Sequence, residues 1–349
     1  MNRRLWIWGS ALFALLLLAS TAALSVGTVR VPFGEVWGMV FRHLPLVGDG
    51  IPVKWSEAAE QIIWKVRLPR VILGMLVGAS LGLAGASFQG VLRNPLADPY
   101  TLGVSSGASA GAAFLILFGF QFAWLGQWTV PVVAFAAGSA SLVTVLLLAR
   151  TQGKLRMESV ILAGVVMQAF LGAFVSLMVA LSKTVINEII FWTMGSLALR
   201  GWSYTLVLLP YLAIGAAVLL GFGRSMNLLA VGERQAAYLG VNVERTKLVV
   251  LIASTLITAA AVSVSGVIAF VGLIVPHLLR LLVGPDYRLL LPLSLLGGAA
   301  YVVIADMLAR TVLSPTEIPL GVVTAFLGAP FFAYLLRRSK RGMGEELRG

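Results

Sequence analysis

Cysteine is absent from this chain of 349 residues. Disulfides, thiolate metal sites and cysteine nucleophiles are therefore excluded, and the redox compartment cannot be read. Histidine is nearly absent too. His43 and His277 are the only two, and the topology derived below puts them on opposite faces, so no two-histidine metal site forms. Charge is scarce: Asp, Glu, Lys and Arg make up 11% of the residues, against roughly 25% in a soluble domain. A P-loop is missing as well. Gly153-Lys154 is followed by Leu155 and lacks the upstream glycine, so the chain does not bind ATP by that motif. Carboxylates are missing from the apolar runs, with Asp306 the only one well inside a run. Proton-coupled carriers usually need such groups at mid-depth.

What the chain has in excess is apolar surface, at 59% of residues. The composition is that of an all-α, polytopic membrane protein, with residues 1–349 forming one transmembrane domain. About ten spans are expected, near 5–26, 68–90, 102–119, 129–149, 158–181, 203–222, 248–264, 266–283, 289–311 and 319–336. The first run follows the basic Met1–Arg4 and resembles a signal peptide, but its length favours an uncleaved span. Residues 27–66 form the longest polar segment. Ile189–Ala198 is apolar but too short to cross.

Ten spans place both termini on one side. That side carries 17 of the 26 Lys and Arg residues, so the termini are expected in the cytoplasm. The net charge of +12 then sets orientation and does not imply nucleic acid. Gly78 and Gly82, and Gly103, Gly107 and Gly111, recur four apart, which favours close helix packing. Pro276 and Pro330 stand inside spans and predict broken helices of the kind that line transport cavities. Arg310 lies four residues after Asp306, so the two can pair along one face, with a proton relay as the competing reading. Gln89 and Gln168 read as interhelical hydrogen-bonding groups.

The segment 224–247 separates two groups of spans and carries Arg224, Glu233, Arg234, Glu244, Arg245 and Lys247. It cannot sit in hydrocarbon. Gly232 precedes a helical reading over 233–239, and Gly240 stands where a C-terminal cap is expected. Ala236 and Leu239 fall on one face. Two readings stand at this point: a compact helical knob held at the membrane surface, or an amphipathic helix lying flat among headgroups. One reading of the whole chain is a self-sufficient secondary transporter, and the lack of intramembrane carboxylates speaks against it.

Several motifs together resemble the FecCD-type permeases, the transmembrane subunits of ABC importers for iron–siderophore complexes, haem and cobalamin. They are Arg67-Leu-Pro-Arg70, Gly85-Ala-Ser-Phe-Gln-Gly90, Arg93-Asn-Pro-Leu-Ala-Asp-Pro99, Leu102-Gly-Val-Ser-Ser-Gly-Ala108, Phe270-Val-Gly-Leu-Ile-Val-Pro-His277 and Glu317-Ile-Pro-Leu-Gly321. The resemblance implies a homodimer with the pathway on its two-fold axis, two cytoplasmic ATPase subunits that bind the ATP, and an extracytoplasmic substrate-binding protein. It implies no enzymatic activity and no cofactor on this chain. It turns the knob into the coupling segment, with Glu233, Arg234, Ala236, Leu239 and Gly240 against the ATPase. Ala236 and Leu239 would fill an apolar pocket there, and Glu233 would pair at its rim. It further implies a docking rim for the binding protein at Arg67, Arg70 and Arg310, and an inner gate near Met157, Glu158 and Ser159. Iron–siderophore is the first substrate class by abundance within the family.

Overall fold

The computed structural model describes residues 2–27, 29–43, 50, 52–53, 55–151 and 154–346; Gly153, named above, lies outside them. The described chain is helical: α1 (Asn2–Ser25), α2 (Phe33–Arg42), α3 (Glu57–Gln61), α4 (Leu68–Val91), α5 (Val104–Phe118), α6 (Thr129–Ala149), α7 (Met157–Leu181), α8 (Ile186–Met194), α9 (Trp202–Gly221), α10 (Gly223–Val231), α11 (Glu233–Tyr238), α12 (Val243–Ser265), α13 (Val271–Val283), α14 (Tyr287–Thr311) and α15 (Leu320–Glu346). A π-helical turn, Ile62–Arg67, feeds α3 into α4. One two-residue β-ladder, β1 (Arg150–Thr151) with β2 (Lys154–Leu155), interrupts the helices. Among the described residues, seven helices are long and apolar enough to cross a membrane. The other three expected spans fall on the shorter apolar stretches Val104–Phe118, Val271–Val283 and Leu320–Tyr334. The chain is a multi-pass membrane protein.

The bundle is built around α4, whose Leu73, Val77, Leu83 and Phe88 are fully buried. It packs against α14, α12, α13 and α9. In a bilayer, burial of apolar surface does not by itself join helices; close van der Waals approach does. Glycine permits that approach. A Cβ at Gly298 would run into the backbone carbonyl of Gly78, and one at Gly85 into the backbone of Gly272. On α5, Gly107 and Gly111 likewise meet Ala137 and Val133 of α6. Gly298→Val should therefore force α4 and α14 apart, at about 3 kcal/mol, the upper end of ordinary overpacking. Thermal unfolding in detergent tests this, with Gly9→Val as control because nothing lies within 4 Å of that position. Equal melting of the two variants would refute the close-packing account.

The expected breaks at Pro276 and Pro330 are corrected. Both prolines lie inside continuous helices. Pro276 removes the N–H that would bond the Gly272 carbonyl. Gln89 supplies the donor instead, Nε2 to Gly272 O at 3.2 Å. Its Oε1 in turn accepts from Arg280 at 2.9 Å. The interhelical reading of Gln89 thus matches its geometry. The break falls earlier, over 266–270, where Gly266 (φ 70) and Phe270 (φ 69) take left-handed values. The expected span over 266–283 is helical only from Val271. Gln168 differs from its reading: it is exposed on α7 and makes no side-chain hydrogen bond among the described residues.

Candidate functional site

The segment after α9 folds into a knob of two short helices, so helix begins earlier than the sequence suggests. Gly232 separates α10 from α11 at φ 152, a value open to glycine. Gly240 closes α11 at φ 85. Its N–H donates to Ala237 O, and the Val241 N–H donates to Ala236 O, both at 3.0 Å. This pair of bonds satisfies the last carbonyls of the helix. The Asn242 side chain then accepts from Arg245 N at 3.0 Å and starts α12.

The knob is bolted to the bundle at two places. Asn227 of α10 donates to Asp286 Oδ1 at 2.6 Å and accepts from Tyr287 N at 2.8 Å, at the start of α14. The Arg288 guanidinium, with help from Asn227, holds the Asp286 carboxyl down at about 2. Glu233 of α11 meets Lys247 Nζ at 2.6 Å and Arg93 at 3.2 Å. Lys247 is 2% exposed and also reaches Glu244 at 3.4 Å.

Two expectations about this surface are corrected. Ala236 is fully buried and offers nothing to a partner. Leu239 closes the last turn, its N–H still bonding Gln235 O at 3.1 Å, and it is exposed where Ala236 is buried, so the two do not present one surface. The outward apolar surface is Val231, Tyr238 and Leu239, the last two 90% and 66% exposed. Glu233 is spent on Lys247 and Arg93 of its own chain. Arg234 and Gly240 are exposed, and Arg234 makes no ion pair among the described residues.

A cleft of about 540 Å3 lies beside the knob and brings Glu233, Arg93 and Lys247 together with Met157 and Glu158 at the start of α7. Ser159 is partly buried beside them. The tie between knob and α7 runs through Glu244, whose Oε2 accepts from Leu155 N at 3.1 Å, two residues before α7. Sequence reading missed Lys247, Glu244 and Arg93 as a group. The Glu244–Lys247 spacing was a visible signal, since residues three apart share a helix face. Nothing local pairs Arg93 with Glu233, which are 140 positions apart.

At the other end of the bundle, Asp306 is 2% exposed and receives two arginines. Arg310 Nε lies 3.2 Å from it, an ion pair without hydrogen-bond alignment. Arg70 donates to both its oxygens at 2.9–3.1 Å and continues to Glu317 at 2.9 and 3.0 Å. Arg310 also donates to Ala23 O at 2.9 Å. Arg67, 4% exposed, donates to Leu24 O at 2.7 Å, Ser25 O at 3.2 Å and Val29 O. Ala23, Leu24 and Ser25 are the last residues of α1, whose carbonyls lack helical partners, and cations suit that end of the dipole. The expected exposed basic rim is thereby corrected: Arg67 and Arg310 are buried and cap α1, Arg70 is 11% exposed, and Glu317 is the charge of this cluster that meets the surface, at 42%.

A bundle of apolar helices, carrying a charged knob and an ion cluster at its opposite ends, defines a multi-pass membrane protein. The chain belongs to the FecCD transport family, which it matches over residues 15–338. It is 44% identical over 334 residues to the uncharacterized ABC transporter permease protein YvrB of Bacillus subtilis, covering 95% of this chain and 93% of that one. It is 42% identical over 335 residues to the cobalamin import system permease protein BtuC of Halobacterium salinarum (92% and 89%). To the hemin transport system permease protein HmuU of Yersinia pestis it is 39% identical over 295 residues (82% and 87%). Among solved structures it is similar to an inward-facing metal-chelate type ABC transporter, with TM-score 0.80, 32% identity and coverage of 95% and 99%.

Proposed function

We propose that this chain is the permease subunit of a binding-protein-dependent ABC importer that carries a bulky metal chelate. It would act as a homodimer with two ATPase subunits on the knob side, taken as cytoplasmic along with both termini. The similarity to permeases along nearly the whole chain supports this reading most. ATP would be bound and hydrolysed by the partner, with no cofactor on this chain. In this reading Tyr238 and Leu239 are the anchors against the ATPase, while Glu233 and Lys247 hold the anchor surface in place. Met157, Glu158 and Ser159 form the inner gate, one cleft away. The exposed apolar face of α7, with Leu162, Val165 and Phe170, would line the pathway. The binding protein would dock at the outer ends of α4 and α14, beside the Arg70–Glu317 pair, with Arg67 and Arg310 supporting it from behind.

Iron–siderophore complexes are the first substrate class. The 42% identity to a cobalamin permease favours cobalamin as the second reading. Binding of a ferric siderophore and of cobalamin to the cognate binding protein decides between them.

Leu239→Asp tests the coupling surface. A charge at a buried interface anchor should cost about 2 kcal/mol, or roughly thirtyfold in ATPase affinity. Insertion and thermal melting should be unchanged, because the side chain touches water in the free chain. ATPase co-purification at the parent level would remove the knob from the interface.

A further inference from the structure

Between α6 and α12, a groove of about 340 Å3 opens to the outside of the bundle. Its walls are Val143, Leu147 and Leu248, all exposed, Leu147 at 70%. Its mouth, on the side of the knob, holds Arg150 and Arg245. From Arg150 back to Val143 is two turns of α6, or about 10 Å at 1.5 Å per residue. We propose that this groove binds an anionic phospholipid, with one acyl chain against Val143 and Leu147 and the headgroup phosphate between Arg150 and Arg245. The proposal requires only that the chain spans a bilayer.

Three observations favour that occupant. The walls belong to helices long and apolar enough to cross a membrane, so whatever fills them is hydrocarbon. The mouth carries two arginines against one carboxylate, Glu244. Arg150 and Arg245 make no ion pair among the described residues. That carboxylate is turned to Leu155 N and Lys247 and pairs with neither arginine. Arg245 also stands in the first turn of α12, where the helix dipole favours an anion and disfavours a cation. A phosphate there would satisfy both the arginines and the helix terminus. The site is built, too. The β1–β2 ladder pairs Arg150 with Leu155, and Glu244 pins Leu155 to α12, so the two arginines are held across one mouth. A soluble acidic partner would match the arginines but leave the apolar walls uncovered. Basic pockets between membrane helices bind anionic headgroups in this way.

Native mass spectrometry on the full-length chain in detergent tests the site, with dioleoylphosphatidylglycerol, dioleoylphosphatidylcholine and inorganic phosphate as probes. Phosphatidylglycerol should be retained at least about tenfold over phosphatidylcholine. The double variant Arg150→Gln/Arg245→Gln should lower its retention roughly thirtyfold, the worth of two arginines at an anionic surface. Leu147→Trp, which fills the groove and leaves both charges, should also displace the lipid. Equal retention of the two lipids, or indifference to the double variant, would overturn the proposal. Competition by inorganic phosphate with no effect of Leu147→Trp would likewise overturn it, because the site would then serve a free anion or an acidic protein group.

Discussion

Replacing Asp306 by Asn should loosen the end of the bundle where α1, α4 and α14 meet. Asn keeps the shape of the side chain and removes its charge. Arg310 then loses the one carboxylate it pairs with among the described residues, and Arg70 keeps Glu317. Breaking a buried ion pair from one side leaves an uncompensated charge, at about 3–5 kcal/mol. Melting in detergent should fall accordingly. A second change distinguishes this cause from general damage. Arg310→Met in the Asp306→Asn background removes one stranded guanidinium and should recover part of the loss, since neighbours in one network are not additive. Recovery would be incomplete, because Arg310 also caps α1 through Ala23 O. Parent-like melting of Asp306→Asn would show that the cluster holds nothing together.

Lys247→Met should have its largest effect at the knob. Met fills the same buried space but leaves Glu233 and Glu244 without their shared cation. The cost is smaller than for a fully buried pair because both carboxylates keep contact with water, at 35% and 44% side-chain exposure. About 2 kcal/mol is expected, so amide exchange across α11 should quicken roughly thirtyfold while α4 stays protected. On the proposed function, ATPase association and transport should fall with the knob's order. Glu233→Gln added to Lys247→Met should restore part of the protection. Unchanged exchange across α11 would mean that the glycine cap and the Asn227–Asp286 contact suffice to hold the knob.

The helical bundle was legible because its determinants are local. Apolar runs of sufficient length, glycines four apart and a dearth of charge fix helices and bilayer whatever they later touch. The Gly232 and Gly240 boundaries of α11 were legible for the same reason, since the left-handed conformation is a property of the residue itself. The Asp306–Arg310 pair was legible from spacing along one helix. The faces of the knob were not. Ala236 is fully buried while Leu239, three positions on, is 66% exposed, a difference set by what packs against α11 and not by spacing.

The sequence by itself determined that this chain is a helical membrane protein, where its long apolar helices lie, and which family motifs it carries. Only the tertiary structure decided how the charges are used. Arg67 meets the end of α1 from more than forty residues away, Arg70 reaches Glu317 across 247 positions, and Glu233 turns inward to Lys247 and Arg93. A charged side chain near a membrane surface reads the same in sequence whether it waits for a partner protein or is already satisfied within its own chain. The difference lies in which backbone carbonyls and carboxylates the packed helices bring within about 3 Å, and that distance exists only after folding.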